Sequence, residues 1–204
     1  MIEVQRDSGL VILTLNRPEK ANSLTRKMLL DLDDAIASAE GADTRAIVLT
    51  GRGKVFSAGA DLDEARSGLA ADPIWEQLSG RIAGLPCLTI AALNGTLAGG
   101  AMGMVLACDI RLAVPTAKFF YPVMKLGFLP QPSDPARMAA LVGPARAKMI
   151  LMAGQKIDAS EAMGWGLIDR IVDQENLMVS AMDLVADSLA AQASHVAAIK
   201  ALVM

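Results

Sequence analysis

Two short loops hold the residues whose types and spacing could do chemistry. The first is Phe56-Ser57-Ala58-Gly59-Ala60-Asp61-Leu62, and the second is Asn94-Gly95-Thr96-Leu97-Ala98-Gly99-Gly100-Ala101. Glycine and alanine let another molecule approach the backbone closely, and a helix start leaves N–H groups without partners at the positive end of its dipole. Two such loops on neighbouring strands could each aim one N–H at the same oxygen, which is the geometry of an oxyanion hole. Either loop alone reads more readily as a tight turn or a close helix crossing. Neither has the glycine spacing of a phosphate-binding or dinucleotide-binding loop, which sets a nucleotide-binding module aside.

The elements around the loops explain their position. Leu10–Leu15 (LVILTL), residues 46–50 (AIVLT), Leu88–Leu93 (LTIAAL) and Ile110–Ala113 read as strands. Residues 23–39 carry apolar side chains at helical spacing, so strands alternate with helices and the fold class is α/β with a largely parallel sheet. Each small-residue loop directly follows a strand, and ligands bind at that carboxyl edge of open parallel sheets. After residue 134 the pattern is helical, over 135–141, 145–152, Ala159–Trp165 and 177–191. No linker or repeat divides the chain of 204 residues, and one domain is expected.

Composition removes several classes of function. A net charge of −3, with Lys and Arg scattered, gives no field for polyanions, so no nucleic-acid partner is expected. No apolar run approaches the ~18–20 residues that cross a bilayer, and the amino terminus lacks a basic segment followed by an apolar one; a cytoplasmic protein is expected. Cys87 and Cys108 lie among apolar neighbours and read as reduced core residues. With His195 the only histidine, no metal site is expected. The hydrophobic share is 53% with 3% aromatics, and this excess of small aliphatic side chains suits association into oligomers.

The ordered set NRPEKANSL, AIVLTGRGKVFSAGADLDE, LPCLTIAALNGTLAGGAMGMVLACDIRLA, KLGFLP and LMAGQKIDASEAMGWGLIDRIV closely resembles the crotonase (enoyl-CoA hydratase/isomerase) family, from about residue 10 to residue 173. The resemblance implies a repeated ββα spiral core over residues 1–134, carrying an acyl-CoA site. It also implies a helical carboxyl-terminal region over 135–204 in the same structural domain, and assembly as a homotrimer or homohexamer. No permanently bound cofactor is implied; coenzyme A arrives as part of the thioester substrate. Matching the motifs places the two oxyanion-hole N–H groups on Ala58 and Gly100. Lys20, Ala21, Ala60, Asp61 and Leu62 match positions that contact coenzyme A, although Lys20 reads equally as a solvated surface lysine.

The chain departs from the family where acid–base chemistry is done. The positions of the two hydratase glutamates read Gly103 and Val123, and neither side chain transfers a proton. Gln131 falls where some relatives place an acidic or phenolic residue. Asp134 could reach the pocket or could cap the helix that follows at Pro135. Tyr121 could donate its phenol near the acyl chain or serve packing alone. Asp63 and Glu64 read as solvated carboxylates at a helix start, and His195 as a surface or interface residue. Relatives typically continue well past the residue at which this chain stops, leaving an acyl pocket that is more open or is closed by a partner chain. The sequence therefore supports an enzyme that stabilises a thioester enolate, with isomerisation or decarboxylation in place of two-glutamate hydration. The alternative is a non-catalytic acyl-CoA-binding or scaffold protein that has lost the acid–base pair.

Overall fold

A computed structural model describes residues 1–40 and 43–203. β1 (Ile2–Asp7) pairs antiparallel with β2 (Leu10–Leu15). From β2 the sheet continues in parallel through β3 (Ala46–Gly51), β5 (Leu88–Leu93), β7 (Ile110–Ala113) and β10 (Arg170–Ile171). The middle strands are covered on both faces, which is why AIVLT and LTIAAL are continuous apolar runs rather than alternating ones. β1 lies outside the expected strands. Its side chains are half-buried or exposed, so only a weak apolar alternation marks it.

A second sheet consists of β4 (Val55–Ser57), β6 (Thr96–Ala98), β8 (Lys118–Phe120) and β9 (Ile157–Asp158), in that order. Its strands are two or three residues long, too short for any periodicity to reveal. Three strands of the large sheet each pass into a short one and then a helix: β3–β4–α2 (Leu62–Arg66), β5–β6–α4 (Ala101–Leu106) and β7–β8–α5 (Val123–Leu126). This is the ββα repeat that the resemblance implies.

Helix α1 (Arg26–Glu40) starts three residues later than its apolar spacing predicts. The Thr25 hydroxyl accepts the Met28 N–H at 3.2 Å and so caps the helix, while Leu24 forms an extended bridge to Ala60. α1 packs on α3 (Ile74–Gly84), whose Ile74, Trp75, Leu78 and Ile82 are buried at helical spacing. Beyond it lie α6 (Asp134–Val142), α7 (Pro144–Leu151), α8 (Ala159–Trp165), α9 (Leu177–Ala190) and α10 (Ala193–Val203). α9 buries Leu177, Ala181 and Val185 against the large sheet, and one apolar core extends from Val11 to Val185. Residues 135–204 also add an edge strand to each sheet, β9 and β10, so this region is not purely helical.

Among the described residues no helix is long and apolar enough to cross a membrane, and no cluster of His, Cys, Asp and Glu could hold a metal ion. Cys87 and Cys108 are free and buried. Burial raises the thiol of Cys87 to about 11 and that of Cys108 to about 12, which leaves both unreactive.

Candidate active site

The two small-residue loops lie against each other. Gly59 and Gly99 both have positive φ, at 89° and 58°. A Cβ on Gly59 would sit 2.9 Å from the Ala98 carbonyl oxygen and 3.3 Å from the Gly99 Cα. Only glycine allows this crossing together with that backbone conformation. The residues that follow the crossing, Ala60 and Gly100, both line one cavity of about 330 Å³.

The first loop is fixed by the segment after β2. Asn22 is fully buried; its Nδ2 donates to the carbonyls of Arg52 and Val55 at 2.9 and 2.8 Å, and its Oδ1 accepts the Arg17 N–H at 2.8 Å. Ser57 Oγ donates to the Asn22 carbonyl and accepts the Gly59 N–H. Each such buried bond contributes ~0.5–1.5 kcal/mol net, and a lost partner costs more, so the loop has one conformation. The Ala58 N–H donates to the Ala21 carbonyl at 3.0 Å, and the Asp61 N–H to the Leu24 carbonyl at 2.9 Å. Among the described residues nothing accepts from the Ala60 N–H between them. The expectation for Ala58 is corrected accordingly: its N–H is engaged inside the protein, and the free donor is two residues on.

On the second loop, the Gly99 N–H donates to the Phe120 carbonyl at 3.1 Å. The Gly100 N–H has no acceptor among the described residues, as expected of a residue that precedes the first turn of α4. The Trp75 ring packs 3.3 Å from where a Cβ of Gly100 would be, and Trp75 Nε1 donates to the Leu69 carbonyl at 2.7 Å. Glycine at 100 therefore admits the indole as a wall of the cavity. Leu62, Val123, Leu126, Phe128 and Leu129 supply further apolar lining, so an acyl chain could be desolvated there.

Of the candidate coenzyme A contacts, Lys20 is exposed on a short 3-10 turn (Pro18–Lys20), and Ala21 follows it with a φ of 50°. Leu62 is 64% exposed at the cavity. Asp61 has other work: its carboxylate caps α2 through the N–H groups of Asp63 and Glu64, and pairs with Arg17 at 2.8 Å. The hydrogen bond from Arg17 is the main reason its carboxyl is held below the ordinary range. Asp63 is solvent-exposed, as expected. Glu64 is not free, because it accepts the Arg26 N–H that opens α1 at 2.6 Å.

Asp134 is where sequence reasoning departs furthest from the structure. The helix-cap reading fails because Ser133 occupies the cap position and Asp134 is the first residue of α6. Its carboxylate is fully buried, with Oδ2 accepting the Tyr121 hydroxyl at 2.9 Å and Oδ1 without a partner among the described residues. Oδ1 lies 2.7 Å from where a Cβ of Gly103 would stand. The space beside α4 that a side chain at 103 would need is filled by a carboxylate from α6. Burial is the main cause that raises this carboxyl to about 6, and the neighbouring charges are Arg137 and Glu76. Glu76 accepts from the Ser133 N–H and hydroxyl, and the Arg137 guanidinium donates to Ser79, so α3 holds the start of α6 in place. Tyr121 is buried yet lines the cavity, and desolvation raises its phenol above the ordinary value. Gln131 also lines the cavity; its N–H donates to the Tyr121 hydroxyl at 3.4 Å and its side chain to the Ala70 carbonyl. Tyr121, Gln131 and Asp134 thus form one group. His195 lies apart, on a larger cavity of about 640 Å³ bordered by Leu88, Asp109 and Lys200.

Comparison with known proteins agrees with this architecture. A sequence model of the family described as "Enoyl-CoA hydratase/isomerase" matches residues 5–204. The "Probable enoyl-CoA hydratase echA8" of Mycobacterium tuberculosis is 35% identical over 184 residues, covering 88% of this chain and 72% of that protein. The 1,2-epoxyphenylacetyl-CoA isomerase of Escherichia coli is 35% identical over 188 residues, covering 87% and 72%. The crystal structure of an enoyl-CoA hydratase from Bacillus anthracis superposes with a TM-score of 0.91 at 30% identity, covering 99% of this chain and 81% of that one.

Proposed function

The chain belongs to the enoyl-CoA hydratase/isomerase (crotonase) family, and from that premise we propose that it binds an acyl-CoA thioester with the carbonyl oxygen between the N–H groups of Ala60 and Gly100. The observation that carries this reading is that Ala60 and Gly100, on two crossing loops, both line one largely apolar cavity and have N–H groups without an acceptor among the described residues. As an enolate forms, charge moves onto the thioester oxygen, and two fixed donors gain strength in a site that excludes water; one such donor is worth ~3–4 kcal/mol. The resemblance assigns the coenzyme A moiety to Lys20, Ala21 and Leu62; the Ala21 carbonyl holds the first loop and Leu62 lines the cavity. The Asp61 carboxylate serves the loop rather than the ligand.

The reaction is enolate chemistry on the acyl chain, isomerisation or decarboxylation, rather than hydration by two carboxylates. By the resemblance, Gly103 and Val123 stand where that route needs its acid and base. A positioned acid or base contributes ~10²–10⁴-fold, so crotonyl-CoA should be hydrated far below an ordinary enzymatic rate. The test combines calorimetry on acetyl-CoA with turnover on enoyl-, 3-hydroxyacyl- and malonyl-type thioesters. Binding with turnover of an enoyl or malonyl substrate supports the reading, and binding without any turnover leaves the acyl-CoA-binding or scaffold role. Absence of binding overturns the thioester site itself.

A further inference from the structure

We propose that Tyr121 is the catalytic proton-transfer residue of this site and that Asp134 is the positioning residue behind it, the pair carrying one proton between two carbons of a 3-enoyl thioester. The inference rests on the thioester seat at Ala60 and Gly100. Tyr121 reaches the cavity and Asp134 does not, so any exchange with a ligand must pass through the phenol. The phenol donates to Asp134 Oδ2, and one of its oxygen lone pairs accepts the Gln131 N–H. The other lone pair remains for a proton arriving from the cavity.

A buried carboxylate with one bare oxygen costs folding free energy, so its presence calls for a role. No Lys or Arg forms an ion pair with Asp134 among the described residues, and the charged groups that face it are Arg137 of its own helix and Glu76 of α3. On α4, Gly103 lies against the carboxylate, and any larger residue there would displace it. Burial brings the Asp134 carboxyl to about 6, which suits a proton acceptor near neutral pH, whereas the phenol is shifted upward and does not persist as a phenolate. Tyr121 must therefore release its own proton as it receives another.

The steps balance without a co-reactant. The C–H bond at the carbon next to the thioester breaks, and its proton binds the Tyr121 oxygen. The phenolic O–H bond breaks as its proton passes to Asp134 Oδ2. The electron pair of the C–H bond flows through the enolate to the thioester oxygen, held by the two N–H groups. Return of a proton by the same route to the far end of the dienolate yields the 2-enoyl thioester. The activity is a double-bond shift, with no water added.

The test uses a 3-enoyl-CoA, following its conversion to the 2-enoyl isomer and deuterium uptake from heavy water at the carbon next to the thioester. Calorimetry with acetyl-CoA and thermal melting are recorded in parallel for wild type, Tyr121→Phe and Asp134→Asn. The expected result is a loss of ~10²–10⁴-fold in both reactions for Tyr121→Phe, with acetyl-CoA affinity unchanged. Wild-type kcat should fall as pH drops through about 6, when Asp134 takes up a proton, and Asp134→Asn should be slower and lose that inflection. A structural role alone would lower acetyl-CoA affinity in Asp134→Asn along with kcat, whereas a proton relay lowers kcat at unchanged affinity. Full activity in Tyr121→Phe, a wild-type pH profile in Asp134→Asn, or wild-type binding without isomerisation or exchange overturns the proposal and leaves the thioester seat standing. Failure of wild type to bind acetyl-CoA overturns both.

Discussion

Asp134 is the residue at which the cost of the site should be measurable. In the unfolded chain its carboxyl has the ordinary value of 3.8, and in the folded protein burial raises it to about 6. Between those values the native state holds a proton that the unfolded state has released. By linkage, this group's contribution to unfolding free energy falls as pH rises across the window and is flat above it. The two values differ by ~3 kcal/mol of interaction. Denaturant unfolding at several pH values should show wild type gaining roughly that much relative to Asp134→Asn on acidification through the window; parallel stability curves would contradict the burial. The sequence made Asp134 and Tyr121 legible as candidates but not their partnership, because residues 121 and 134 meet only after β8, α5 and α6 are folded. It also placed the oxyanion donor on Ala58. Which N–H of AGA is free depends on the carbonyls of Ala21 and Leu24, and no local pattern reports a partner so far along the chain.

Among elements, the crossing of α4 and α6 decides what position 103 can hold. An alanine there would gain up to ~1 kcal/mol of helix propensity, but its Cβ would meet Asp134 Oδ1 at 2.7 Å, and overpacking of this kind costs ~1–3 kcal/mol. The clash outweighs the propensity, so Gly103→Ala should destabilise the protein. In an Asp134→Ala background the same change should be neutral or stabilising. A double-mutant cycle measures the coupling, and additive effects would show that the two residues are not in contact. The long strands were legible because burial on both faces makes them continuous apolar runs; Leu88–Leu93 is predicted and observed over the same residues. The second sheet was not, since its strands are short and their hydrogen bonds lie wholly with other segments. α3, which supplies the Trp75 wall, lies outside the expected elements although Ile74, Trp75, Leu78 and Ile82 mark its buried face.

At the scale of the whole molecule, the apolar excess of the sequence divides between the chain's own core and its surface. α9 covers the large sheet with Leu177, Ala181 and Val185. Large apolar side chains remain exposed elsewhere: Met149 and Met152 at the end of α7, Met163 on α8, and Leu202 and Val203 on α10, the last two at 86% and 84%. Surface of this kind marks an interface when it is contiguous. Light scattering at micromolar concentration is expected to give a multiple of 21.4 kDa, three or six chains by the resemblance. A mass of one chain, independent of concentration, would mean that these residues stay in water.

The proposed function depends on polarisation of the thioester carbonyl by the N–H groups of Ala60 and Gly100. Isotope-edited infrared spectroscopy of acetyl-CoA labelled with carbon-13 at the thioester carbonyl reads it directly. Gly100 has a φ of −59°, which proline also adopts, so Gly100→Pro deletes the donor without forcing that angle. Gly100→Ala introduces the same Cβ, 3.3 Å from Trp75, and keeps the N–H. The expected result is a carbonyl stretch at lower frequency when bound than in water, retained in Gly100→Ala and largely lost in Gly100→Pro. A bound carbonyl that absorbs as it does in water, or one indifferent to the loss of the Gly100 N–H, would contradict the oxyanion hole at Ala60 and Gly100.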